Sequence, residues 1–151
     1  MKIFYLKTAD VKSFMQKLLK TAAFDIFEIK NLSVTHFIQF DIDGALLKES
    51  AGEKQYAAWQ ELKPYVLFFI KGNTKPKKIK IVFSIPKENL QKNIPGLAAA
   101  FLNMEYENDE VRFITAVSQK EFSLSKEANM LWDEFIQNFF LTNEITVEEI
   151  T

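Results

Sequence analysis

Two strand-like runs, Asp25 to Leu32 and Val34 to Asp43, follow one another with almost nothing between them. Parallel neighbours need a crossover of about a dozen residues or more, so these two runs can pair only antiparallel. Along the second, Val34, His36, Ile38, Phe40 and Ile42 fall on one face and Thr35, Gln39, Asp41 and Asp43 on the other. The expectation is a sheet with one wet face that ends in an Asp-Gly turn. His36, the only histidine, is then a core or rim residue of the apolar face. In a chain without cysteine a lone imidazole builds no familiar transition-metal site, and no nucleophile motif offers it a triad.

The flanking segments supply helices. Lys2 to Leu6 reads as a short strand, and Thr8 or Asp10 caps a helix with Val11, Phe14, Met15, Leu18 and Leu19 on one side. Leu47 to Gln55 is polar and reads as a surface loop. Tyr56 to Ile70 has helical spacing interrupted by Pro64, which allows two short helices or one kinked helix closed by Gly72. Ile79, Ile81 and Phe83 alternate with Lys78 and Lys80, a strand whose lysines face water, where lysine also discourages edge pairing. A short helix after Pro86 runs to Asn93. Phe101 to Glu107 and Val111 to Val117 form a hairpin around Asn108-Asp109. Glu121 to Leu124 is a further strand candidate. Ser125 caps the strongest helix, with Ala128, Leu131, Trp132, Phe135, Ile136 and Phe139 on one face.

The fold class expected is α+β: a mainly antiparallel sheet covered by helices, in one domain spanning residues 1–141. The acidic tail, residues 142–151, is expected to fray. At 151 residues a single core suffices, and fifteen phenylalanines, which carry no polar handle, point to a core of rings. The absence of cysteine excludes disulfides and thiolate chemistry and fits a reducing compartment. No apolar run reaches the length of a membrane span, and the start lacks a signal-peptide core, so a cytoplasmic location is expected. Charge is split: residues 1–92 hold 16 lysines against 9 acids, and residues 93–151 hold 3 basic residues against 11 acids. Such halves either neutralise one another within the domain or drive head-to-tail association with a copy or a charged partner.

The basic residues Lys12, Lys17 and Lys20, with Lys75, Lys77, Lys78 and Lys80, suggest weak nonspecific nucleic-acid binding. A single arginine, Arg112, argues against sequence-specific reading of DNA. The Lys71 to Lys80 stretch lacks phosphate-loop spacing. The acids Glu105, Glu107, Asp109 and Glu110 lack calcium-loop spacing, so no metal site is expected.

Phe40-Asp41-Ile42-Asp43-Gly44 resembles the first motif of the haloacid-dehalogenase-type phosphatases, and Ile79 to Ser84 resembles their second. That resemblance implies Asp41 as nucleophile and Asp43 as general acid/base beside Mg²⁺. Ala45 stands where the family has threonine, no acidic motif follows Ser84, and the family's sheet is parallel. The preferred expectation is therefore a binding or assembly domain without catalysis or cofactor, acting on a protein partner or on itself. The Mg²⁺-dependent phosphatase is the alternative.

Strand, helix and two strands, then helix and three strands, then a final helix, resemble in order one domain of the sliding DNA clamps. That resemblance implies helices on one sheet face and edges open to subunit pairing. A closer resemblance is to an uncharacterised bacterial domain family of this length. It is carried by Thr35 to Gly44, Trp59 to Pro64, Ile70-Lys71-Gly72, Lys80 to Phe83 and Trp132-Asp133-Glu134, and it implies no activity, substrate or cofactor.

Overall fold

The first hairpin forms, but it turns later than the sequence suggests. β2 (Glu28–Thr35) pairs antiparallel with β3 (Gln39–Asp43), from Asn31 opposite Asp43 to Thr35 opposite Gln39. The turn is His36-Phe37-Ile38, which contains no Gly, Pro or Asn. It is held from outside, since His36 Nε2 lies 2.8 Å from the carbonyl of Thr74. His36 thus sits in the turn rather than on a strand face, a correction to the alternation pattern.

The chain, seen in a computed structural model that describes residues 1–51, 54–72, 74–121 and 125–150 (side chains of 50 and 51 excepted), adds these elements. They are β1 (Ile3–Leu6), α1 (Val11–Lys20), α2 (Lys48–Ala51), β4 (Ala57–Ala58), α3 (Trp59–Ile70), β5 (Lys78–Ser84) and α4 (Lys87–Asn93). β6 (Leu97–Glu107), β7 (Glu110–Gln119), α5 (Glu127–Thr142) and β8 (Val147–Ile150) complete it. The strands form one antiparallel sheet in the order β3-β2-β5-β6-β7-β1-β8, with β4 added beside β2. The fold is α+β. No helix of the described residues is long and apolar enough to cross a membrane.

Alternation assigns the sheet its two faces. Ile29, Phe83 and Leu102 lie in one cross-strand row, and Ile81, Met104, Phe113 and Phe4 in another; all are buried. Ring contacts place three helices on that face: Phe14 of α1 meets Phe113, Trp59 of α3 meets Phe83, and Phe140 of α5 meets Phe4. Phe24, between α1 and β2, packs on Phe14, Phe27, Phe83 and Phe139 and joins the helices to the sheet. Edge-to-face pairs of this kind add about 0.5–1.5 kcal/mol each beyond burial. Two buried polar contacts tie the helices in: Thr115 Oγ1 donates to Asp133 Oδ1 at 2.6 Å, and Trp59 Nε1 donates to the carbonyl of Leu18 at 3.2 Å.

Several boundaries differ from the expectation, each for a long-range reason. β5 is interior, between β2 and β6, so its lysines do not guard an edge. Lys78 instead pairs with Glu105 and Glu107 of β6 at 3.4 and 3.5 Å. α3 is one continuous helix containing Pro64; the proline is exposed, so the carbonyl it leaves unpaired lies toward water. The loop after Leu47 contains the short helix α2. The strand expected at Glu121 to Leu124 falls largely outside the described residues. The tail carries a strand: Val147 pairs with Leu6 and Ile150 with Ile3, and Ile145 is buried. Its acids meet N-terminal lysines, Glu149 with Lys2 at 3.1 Å and Glu148 with Lys7 at 3.7 Å. With Lys75–Asp109 and the Lys78 pairs, these contacts join the basic and acidic halves within one molecule.

Candidate functional site

The Asp-x-Asp-Gly stretch lies on the sheet edge. Asp41 and Asp43 are exposed on β3, on the face away from Phe40 and Ile42. Asp41 accepts from the Gln39 amide at 3.2 Å, and Asp43 Oδ1 accepts the N–H of Ala45 at 2.9 Å, an Asx turn. Gly44 has a backbone explanation. A Cβ there would lie 1.7 Å from the carbonyl oxygen of Ile29, where β2 bulges between Ile29 and Asn31. Its N–H donates to Lys30 O at 2.9 Å, and its carbonyl accepts from Ala57 N–H at 2.8 Å. Only glycine permits that approach. Ser84 stands on β5, with β2 between it and β3, and its hydroxyl donates to Ala100 O at 3.4 Å. The frame expected of the phosphatase family, two motifs at the ends of parallel neighbours, is not what these residues share. Asp41 and Asp43 place like charges along an exposed edge, the usual device against edge-to-edge pairing.

The seven candidate lysines do not form one surface. Lys78 and Lys80 lie on the open face of the sheet, whereas Lys12, Lys17 and Lys20 belong to α1 on the opposite face. Lys17 Nζ caps the end of α5, donating to the carbonyls of Asn143 (2.5 Å) and Glu144 (3.3 Å). Lys77 is exposed, and its backbone N–H donates to Thr35 O at 2.7 Å.

Three of the seven do converge. Lys12, Lys20 and Lys75 rim an open groove of about 540 Å³. Its apolar floor is Met15, Leu19, Ile70, Pro76 and Tyr106, contributed by α1, the end of α3, the chain before β5 and the tip of the β6–β7 hairpin. The hairpin tip can reach it because Asn108 and Asp109 both adopt positive φ, 53° and 60°, as a two-residue turn demands. There Asp109 Oδ1 accepts from Lys75 Nζ at 3.1 Å and from the Tyr106 hydroxyl at 3.2 Å. The Lys75 ammonium, with Tyr106, holds the Asp109 carboxyl below its usual range; burial and Asp109 push the Tyr106 phenol up. An intrinsic carboxylate therefore already occupies one end of the basic rim.

A second cleft, of about 380 Å³, opens at the other end of β2 between the 54–58 segment and α4. Glu28, only 9% exposed, lines it beside Ser84, Ala58, Leu90 and Phe101. Desolvation raises the Glu28 pKa, partly offset by Lys54. Sequence reading missed Glu28; flanked directly by Phe27 and Ile29 at the start of a strand, it is a visible signal. No group of three or more metal-ligating side chains occurs among the described residues.

These features define an α+β domain with α1, α3 and α5 on one sheet face and ligand-sized clefts at the sheet's ends. The family of unknown function DUF5721 matches residues 17–148, and the chain belongs to that family. No curated protein and no solved structure matches it.

Proposed function

We propose that this is a binding domain whose working surface is the lysine-rimmed groove, and that the groove takes an acidic, apolar-anchored helical segment of a partner protein. The observation that carries the reading is the convergence of Lys12, Lys20 and Lys75 around the floor of Met15, Leu19, Ile70, Pro76 and Tyr106. An amphipathic helix buries its apolar stripe in such a floor and sets flanking carboxylates against the lysines. Charge complementarity selects the acidic partner, since Lys12 and Lys20 lie on the exposed side of α1, four residues from Gln16 on either side. α1, at 10 residues, is about 15 Å long and matches about three turns of such a helix. Clamp-like self-association through the sheet edges draws less support, because β3 and β8 both carry carboxylates.

The test is fluorescence anisotropy with a labelled helical peptide bearing leucines at i, i+3 and i+4 spacing and glutamates on the flanks. Binding is expected to weaken with added salt and to be lost in Lys12→Glu/Lys20→Glu. A peptide with glutamine in place of every glutamate that binds equally well overturns the reading. Tighter retention of duplex DNA than of the acidic peptide, abolished by the same variant, replaces it with nucleic-acid binding.

A further inference from the structure

A buried carboxylate normally holds hydrogen-bond donors, and among the described residues Glu28 has none. Its side chain makes no hydrogen bond or close ion pair among the described residues. Its cross-strand neighbours offer none: Ala58 of β4 is apolar, and the Ser84 hydroxyl of β5 is directed at Ala100 O. The carboxylate therefore faces a 380 Å³ cleft whose other surfaces include Ala58, Leu90 and Phe101. That volume falls in the range of small-molecule sites, and the cleft sets the Glu28 carboxylate beside an apolar wall. Phe101 supplies the second observation. The Lys30 ammonium sits 4.7 Å from its ring centroid, so the ring's π-system already attracts a cation beside the cleft.

We propose that this cleft binds a small organic ammonium or amidinium, its charged head on the Glu28 carboxylate and its apolar body against Ala58, Leu90 and Phe101. The other charged and titratable groups lining the cleft are Asp25, Lys54, Tyr56, Lys87 and Glu88. Asp25 is taken by Lys63 at 2.9 Å, which leaves Glu28 as the buried acceptor. Because desolvation raises the Glu28 pKa, the bound cation stabilises its ionised form and binding weakens as pH falls through that raised value.

The experiment is an amide-resolved NMR titration of the full chain with benzylammonium and benzamidinium, with benzyl alcohol as the uncharged control. Both cations are expected to shift the amides of Glu28, Ala58 and Leu90 saturably at millimolar concentration or below. Benzyl alcohol should bind at least about tenfold more weakly, the worth of a charge-assisted hydrogen bond. Glu28→Gln should erase that preference, and lowering the pH from 7.5 toward 4.5, the group's ordinary value, should weaken both cations in the wild type. The proposal is overturned by the absence of saturable shifts with either cation, by equal binding of benzyl alcohol, or by a cation preference that survives in Glu28→Gln. Should Glu28→Gln not fold, the control ligand and the pH series on wild type decide the question.

Discussion

Gly44→Ala tests whether the Asp-x-Asp-Gly stretch is chemistry or architecture. The added Cβ would stand 1.7 Å from the Ile29 carbonyl oxygen and 2.7 Å from its carbon. Ordinary contact begins near 3.4 Å, so the two strands must part by about 1.7 Å. That separation breaks the Gly44 N–H to Lys30 O bond and the Ala57 N–H to Gly44 O bond. It also strips β4 from its place beside Glu28 and Ile29. Two backbone hydrogen bonds at about 1 kcal/mol each, plus the desolvation of groups left unpaired, give about 3–5 kcal/mol. Against a native stability of about 5–15 kcal/mol such a loss is readily measured. Urea denaturation followed by tryptophan fluorescence reads it directly, since buried Trp59 directly follows β4. Asp41→Asn, on the exposed edge, should shift stability by less than about 0.5 kcal/mol in the same assay. A Gly44→Ala protein within about 1 kcal/mol of wild type would refute the backbone account and return attention to the carboxylates.

Asp109→Asn should tighten binding of the acidic peptide several-fold by freeing Lys75, with little change in stability; asparagine tolerates the positive φ of this position, and anisotropy with parallel denaturation checks both halves. Asp41→Val/Asp43→Val removes the charges from the β3 edge and should produce concentration-dependent self-association in light scattering, whereas a monomer at all concentrations would count against the edge-guard role. Burial raises the folded-state pKa of Glu28, so the folded form binds its proton more tightly than the unfolded form does. The resulting stabilisation is complete below the unfolded value and is lost as pH rises through the folded one. Glu28→Gln should therefore be more stable than wild type at neutral pH, with the difference closing toward pH 4.5, as denaturation at a series of pH values would show.

Local pattern carried much of the architecture because its physics is local. The short connection after β2 forbids a parallel neighbour, and the buried alternation of Ile79, Ile81 and Phe83 marks a strand wherever that strand lies. Asn108-Asp109 takes the positive φ values that a two-residue hairpin needs, and the apolar faces of α1 and α5 follow from helical spacing. The family resemblance was legible too, in the Thr35 to Gly44 and Trp132-Asp133-Glu134 stretches among others.

What stayed hidden depends on residues far apart in the chain. Nothing around Lys78 says that β5 is interior; that follows from β2 and β6 closing on either side of it. The acidic tail looks solvated until Lys2 and Lys7 are brought beside Glu149 and Glu148, because a strand needs a partner and here the partner is the chain's other end. Lys12 and Lys75 became one rim, and Lys17 a helix cap, only through packing. Glu28 is one acid among twenty in the sequence. Its distinction, burial in a cleft with no donor among the described residues, is created by strands and a helix that meet it from elsewhere in the chain. Side-chain periodicity is a property of neighbours along the backbone; desolvation and charge pairing are properties of neighbours in space.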